Sequence, residues 1–301
     1  MKLATFRLRG EQVSSAKAGI VEGDVVYEVE GSLGVLGLLA GGSETARKSG
    51  VQHRLPDVVL HAPLPRPGKI VAAIVNTQGM LGGDARLDRP RLDTKAPSTV
   101  IGQGEDVVSP PEGIRPEVEL AAVIGSVTKG ATEAAASKSI FGYTILNDVT
   151  APGDSKSDAY EAYRRDKESG VIRKVTMRGP LFRSKNHDTF CPMGPWIVTS
   201  DEFDVKMPSR MKTTFNGKSI QDGTTSEYLF APARLVSYVS GFLTLEPGDI
   251  VSCGSVGWAP GALGALDPTE YLLPKEPGLL SLEIERIGTL ENRVVFNSRE
   301  G

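Results

Sequence analysis

Apolar positions along this chain come in short runs broken by glycine, proline and charge, a spacing that predicts many short strands and few helices. Met1–Arg7 and Gly23–Val29 read as strands, with Ala18–Val21 between them, and the glycine-interrupted apolar segment Ser32–Ala40 reads as a short helix. Lys69–Asn76, Pro116–Gly125 and Phe141–Thr150 are apolar almost throughout, as strands covered on both faces are. Met211–Gln221 reads as a hairpin about Asn216-Gly217, a dipeptide that tolerates the positive φ of a tight turn. Asp158–Glu168 carries Tyr160 and Tyr163 at helical spacing among charges, and reads as an exposed amphipathic helix stopped by Gly170. Glu227–Ser240 is the clearest helix, with Leu229, Phe230, Leu235, Val236, Val239 and Phe242 on one face. Leu245–Asp249 is a tight turn into the strand Ile250–Cys253.

Pro63, Pro65 and Pro67 can continue neither a helix nor a central strand, so they mark a boundary. The pattern predicts a mainly β protein with some α: a small N-terminal β-rich domain over 1–62 and a larger domain over 63–301. The 34 glycines and 20 prolines fit so many turns.

Two carboxylates break the apolar pattern of Pro116–Gly125. Side chains two apart on a strand share a face, so Glu117 and Glu119 point the same way. Like charges on a buried face repel one another and resist desolvation, and a hard cation with oxygen ligands removes that penalty. The alternative is a half-exposed strand with both glutamates in water. A third carboxylate in similar surroundings, Asp148 at the end of Phe141–Thr150, favours the cation. Glu117, Glu119 and Asp148 make three oxygen ligands, with room for water and substrate oxygens, the open arrangement of a catalytic ion.

A formal net charge of −3 excludes a general attraction to nucleic acid or to anionic membrane. No apolar run is long enough to span a bilayer, and the first residues lack the apolar core of a signal peptide. Cys191 and Cys253 make no disulfide framework and sit in apolar segments, so reduced thiols and a cytoplasmic location are expected. His53 and His61 have no acidic or cysteine partner nearby in sequence and read as surface or packing residues. His187 also reads as a surface residue, with a second possibility that it reaches the carboxylates from another direction.

Glu117-x-Glu119-Leu120-Ala121-x-Val123-Ile124-Gly125, followed by Gly142-Tyr143-Thr144-x-x-Asn147-Asp148-Val149-Thr150, resembles the fumarylacetoacetate hydrolase superfamily. Arg183-Ser184-Lys185, the run Asp188–Trp196, Asn216-Gly217, Leu245–Ile250 and Gly254-Ser255 follow in that family's order, so the resemblance runs from about Arg66 to the C-terminus. It implies a mixed β-roll catalytic domain behind an N-terminal cap, and Mg²⁺ or Mn²⁺ held by Glu117, Glu119 and Asp148. It places Lys185 beside the metal, Lys95 on a strand near the substrate, and Gln221 and Thr225 as substrate contacts or groups that order the metal's surroundings. Asn76, Gly254 and Ser255 follow as substrate-side residues, and a homodimer is implied.

Two departures matter. Many relatives carry a histidine and a glutamate after the first strand to activate water, and counting from Asn76 those positions fall on Met80 and Gly83, neither of which accepts a proton. Asp84 is one place off. Where relatives have Ala-Arg-Asp-x-Gln, this chain has Ala151-Pro152-Gly153-Asp154-Ser155, so the usual arginine is missing, with Arg164, Arg165, Arg173 or Arg178 as possible replacements. The glycine-rich, charged loop Thr77–Asp93 reads as a lid without regular structure, whose Arg86, Arg89 or Arg91 meets a substrate carboxylate.

The resemblance therefore implies a divalent-metal enzyme acting on a small 2-oxo acid or 1,3-dicarbonyl acid through an enolate. The altered water-activating pair favours isomerisation or decarboxylation in catabolism of the aromatic type. C–C hydrolysis of an acylpyruvate or fumarylacetoacetate is the alternative, and a silent metabolite-binding homologue is a second.

Overall fold

The computed structural model describes residues 1–31, 34–39, 41, 45–259, 262 and 272–296. The first strands are β1 (Lys2–Leu8), β2 (Lys17–Glu22) and β3 (Val25–Val29), then helix α1 (Val35–Leu39), β4 (Lys48–Arg54) and β5 (Val58–His61). Next come β6 (Ile70–Ala73), α2 (Gln78–Leu81), β7 (Leu92–Lys95), β8 (Val100–Ile101), β9 (Val107–Ser109) and β10 (Val118–Ile124). The middle of the chain forms α3 (Glu133–Ser139), β11 (Ile140–Asn147), α4 (Pro152–Ser157), β12 (Tyr160–Arg165), β13 (Ile172–Met177) and α5 (Phe182–Lys185). The last elements are β14 (Cys191–Thr199), β15 (Arg210–Phe215), β16 (Lys218–Thr224), α6 (Pro232–Phe242), β17 (Ile250–Ser255), β18 (Gly278–Ile284) and β19 (Gly288–Phe296).

Twelve strands form one sheet in the order β4-β3-β2-β1-β14-β11-β10-β17-β6-β7, with β5 on β1 and β8 on β14. A five-stranded sheet, β16-β15-β18-β19-β9, packs against it. The N-terminal strands thus extend the central sheet through the antiparallel pairing of β1 with β14.

Alternation along β10 decides what each face does. Val118, Leu120, Ala122 and Ile124 enter the core shared with β15, β18, β19 and α6, whereas Ala121 and Val123 enter the core shared with the N-terminal strands. Glu117 and Glu119 fall on the same face as Ala121 and Val123.

Three readings of the pattern need correction. Asp158–Glu168 is not a helix. Tyr160–Arg165 pairs with Ile172–Met177 as an antiparallel hairpin, closed by Asp166, whose carboxylate accepts from the Ser169 amide, and by Gly170 at φ +67. Tyr160 and Tyr163 are exposed, so no core rewards a helical face there, and Tyr, Ile, Val and Thr suit a strand. The helix read over Glu227–Ser240 is α6, which begins at Pro232, a residue suited to a first turn; Leu229 and Phe230 precede it, and Phe242 is exposed. His53 does have an acidic partner: its Nε2 lies 2.9 Å from Glu28 Oε1 across the β3–β4 pair. The hairpin at Asn216-Gly217 forms as expected, with both residues at positive φ (+49 and +77).

Candidate active site

Strands β10, β11 and β17 lie side by side and build the floor of the site. β11 pairs Asn147 with Val118 and Leu146 with Glu119, and the Asp148 amide then donates to the Glu117 carbonyl at 2.9 Å. This register brings the three expected carboxylates to the same end of neighbouring strands. All three are buried.

Each has its own partners. Glu119 Oε2 accepts from the Ser252 hydroxyl at 2.5 Å and from the Gly254 amide at 3.3 Å. Asp148 Oδ1 accepts from Lys95 Nζ at 2.7 Å, and its Oδ2 accepts from Lys185 Nζ at 2.5 Å. Lys185 Nζ also donates to Glu117 Oε2 at 3.1 Å, so it bridges two carboxylates. Lys95 Nζ is further held by the Val149 carbonyl at 2.9 Å. Both lysines are buried, and the structure brings them together with the carboxylates.

Burial by itself would raise the Asp148 carboxyl, but the ammonium groups of Lys185 and Lys95 outweigh it and bring it down to about 2. Burial likewise opposes charge on Lys185, yet Asp148 and Glu117 hold its ammonium above the ordinary lysine value. Glu119 behaves in the opposite way. Burial first, then the charge of Asp148, keep its carboxyl well above the usual carboxylate range despite the Ser252 hydrogen bond.

Among the described residues no three histidine, cysteine, aspartate or glutamate side chains are grouped tightly enough to ligate an ion as they stand. The donor chemistry nevertheless fits a hard divalent cation. A carboxyl raised by burial and by its neighbours' negative charge is one that a cation would ionise, and Lys185 and Lys95 supply balancing charge around it.

The other expected site residues are placed as follows. Gln221 Oε1 accepts from the Val118 amide and the Thr213 hydroxyl, while Nε2 donates to Ser255 Oγ and the Val256 carbonyl. Its amide thus ties β10, β15 and β17 together. Asn76 is used in the same way, donating to the Phe230 and Cys253 carbonyls and accepting from the Phe230 amide. Thr225 Oγ1 accepts from the Ser209 amide, and Ser255 Oγ donates to the Val118 carbonyl. Gly254 lies at φ +88, and a Cβ there would meet Asn76 Cβ at 2.7 Å, so glycine lets β6 close onto β17. These residues hold the floor's geometry.

The loop after β6 is more ordered than expected. Thr77 caps α2 by accepting from the Met80 amide, and Gly79 packs on Gly257. Arg86 turns back on the loop, donating to the Ala85 carbonyl at 2.8 Å. Neither Met80 nor Gly83 carries a proton-accepting side chain.

Three features escaped the sequence reading. Ser252 is the hydroxyl that holds Glu119. Asp154 stands 2.5 Å from His187 Nε2 and 2.9 Å from an Arg183 nitrogen, so His187 has a buried carboxylate partner. Arg115 places its Nε 3.4 Å from Glu117 Oε1. The signal for Arg115 was present: it precedes Glu117 by two, as Glu117 precedes Glu119.

Comparison with known proteins follows the same residues. The family description "Fumarylacetoacetate (FAA) hydrolase C-terminal" matches residues 72–295, a span that contains every carboxylate and lysine of the floor. The chain belongs to the fumarylacetoacetate hydrolase family. It is 30% identical to a 2,4-didehydro-3-deoxy-L-rhamnonate hydrolase of Sphingomonas sp., over 98% of this chain and 96% of that one. It is 32% identical to an oxaloacetate tautomerase of Bacillus subtilis, over 80% of this chain and 75% of that protein. Among solved structures it resembles a 5-carboxymethyl-2-hydroxymuconate delta-isomerase of Mycobacterium smegmatis, with a TM-score of 0.75 and 28% identity, covering 99% of this chain and 100% of that one. The expectations of a family enzyme and of a mainly β fold with mixed sheets are met. Among the described residues, no helix is long and apolar enough to cross a membrane.

Proposed function

We propose that this enzyme takes a small 2-oxo acid or 1,3-dicarbonyl acid, with Mg²⁺ or Mn²⁺ held by Glu117, Glu119 and Asp148, and isomerises or decarboxylates it. The observation that carries this reading is the floor itself: three buried carboxylates bracketed by two buried ammonium groups, beside a loop with no proton acceptor at Met80 or Gly83. When bound, a divalent cation would polarise the substrate's oxo and carboxylate oxygens and favour negative charge on them.

The chain's own residues do the rest. Lys185, fixed on Asp148 and Glu117, presents a permanent positive charge where charge develops on a substrate oxygen. Lys95 fixes the second oxygen of Asp148, so that carboxylate has one orientation. The buried strands exclude water from this end, which strengthens every charge interaction there. A relative named a tautomerase supports a proton-shifting reaction, and a relative named a hydrolase supports the same substrate class.

Turnover in heavy-oxygen water tests the reading. Product free of solvent oxygen is expected, and one heavy oxygen per turnover would overturn it in favour of C–C hydrolysis. One observation favours that second reading: the His187–Asp154 pair is an imidazole oriented by a buried carboxylate, the arrangement of a general base. We also take the enzyme to be a homodimer, as the family resemblance implies, and cytoplasmic, as its two buried free thiols suggest. Light scattering giving the mass of two chains would support the dimer, and the mass of one chain would oppose it.

A further inference from the structure

The family resemblance implies an arginine after Asp148 where this chain has Pro152, so the contact it would make falls to another arginine. Four of the arginines offered by the sequence are engaged elsewhere. Arg164 donates to the Tyr163 carbonyl and Arg165 to the Gly170 carbonyl, both on the exposed hairpin. Arg178 donates to Ser155 Oγ, and Arg86 folds back onto its own loop.

Arg115 is different. Its backbone is clamped to Thr150 by reciprocal hydrogen bonds of 2.8 and 2.9 Å, so that Arg115 stands two residues from Glu117 and faces the residue two beyond Asp148. Its Nε is buried, lies 3.4 Å from Glu117 Oε1 and makes no hydrogen bond among the described residues. The side chain as a whole keeps 26% of its surface, so the guanidinium runs from a floor carboxylate to solvent. A buried donor without a hydrogen bond costs about 1–3 kcal/mol, and such a group needs a reason to be there.

We propose that Arg115 selects substrates with a second carboxylate, gripping that group at the mouth of the site. The proposal rests on the substrate class argued above. A 2-oxo acid directs its own oxo and carboxylate oxygens to the floor, so a further carboxylate on the same molecule lies toward the rim. The planar guanidinium offers several donors in a fork that matches a carboxylate, and its single loose contact with Glu117 leaves them available. The competing role is charge balance for Glu117 alone, which would serve every substrate equally.

Calorimetry on the full chain with Mg²⁺ separates these roles, using pyruvate and 2-oxoglutarate as probes. Wild-type protein is expected to prefer 2-oxoglutarate. Arg115→Gln should weaken 2-oxoglutarate about tenfold to hundredfold, the range of a lost charge-assisted pair, and pyruvate by no more than about twofold. Arg115→Lys, which keeps the charge without the fork, should fall between them and decides the matter if the glutamine variant does not fold. Equal weakening of both probes, no weakening of either, or an unchanged preference in Arg115→Lys overturns the proposal. A wild-type protein that binds both probes equally overturns it while leaving the substrate class standing. A wild-type protein that binds neither overturns the substrate class and this proposal with it.

Discussion

The floor and the rim of the site are built on different principles. The floor is made of strand residues whose positions are set by register: Glu117, Glu119 and Asp148 are buried, and Lys95 and Lys185 are locked against them. The rim is the α2 loop, where side chains are exposed and satisfy one another locally. Buried charges on rigid elements give a fixed field at low dielectric, which a family can keep while substrates change. Exposed loops tolerate substitution, and Met80 and Gly83, where the family resemblance implies a histidine and a glutamate, fall in the α2 loop. The contrast explains how one scaffold serves relatives named for hydrolysis, tautomerisation and isomerisation.

The comparison breaks most easily at Lys185. Replacing it by Met leaves Glu117 without its ammonium partner and Asp148 with Lys95 alone, so a loss of about 3–5 kcal/mol in unfolding free energy is expected, together with loss of activity. Denaturant titration checks the first, and an unchanged midpoint would mean that the floor is not electrostatically coupled.

Glu119→Gln should behave in the opposite way. Its carboxyl titrates well above the usual carboxylate range, so an amide stands close to the form the metal-free fold favours: stability should change by less than about 1 kcal/mol, while divalent metal affinity drops by at least about a hundredfold. Metal titration of this variant, read beside its thermal midpoint, separates the two effects.

The pH dependence follows from the same group. Glu119 titrates higher folded than unfolded, so its contribution to the metal-free fold is fully present below the unfolded value and declines as pH rises through the folded one. Bound metal holds the carboxylate ionised and cancels that decline. The thermal shift on adding Mg²⁺ or Mn²⁺ should therefore grow as pH rises from the usual carboxylate range through the raised value of Glu119. A shift that shrinks over that range would contradict the assignment.

The rim should be the most tolerant region. Arg86→Ala is expected to leave stability within about 0.5 kcal/mol, because its hydrogen bonds are local and exposed. It should leave KM unchanged, because Arg86 turns back on its own loop, and steady-state kinetics reads that directly.

The same division governs how much the sequence revealed. Pro116–Gly125 and Phe141–Thr150 were legible as buried strands because they are continuously apolar, and their carboxylates stood out against that background. Lys185 was legible only through its motif, since nothing local distinguishes a buried lysine from a solvated one. Ser252 was not legible: its hydrogen bond to Glu119 depends on the β10–β17 register, set by residues far apart in the chain. The hairpin over Asp158–Glu168 was misread because two tyrosines three apart fit a helix face as well as an exposed strand, and burial, which separates the two, is nonlocal. His53 and Glu28 meet only because β3 pairs with β4.

The central claim is that the floor draws charge onto a 2-oxo acid and so labilises the proton beside its oxo group. Exchange of the C3 protons of 2-oxoglutarate in heavy water, followed by proton NMR with Mg²⁺ present, tests it most directly. The account predicts enzyme-dependent exchange that disappears on chelation of the metal and in Glu119→Gln. Exchange at the uncatalysed rate in the wild-type enzyme, with 2-oxoglutarate shown by calorimetry to be bound, would contradict it.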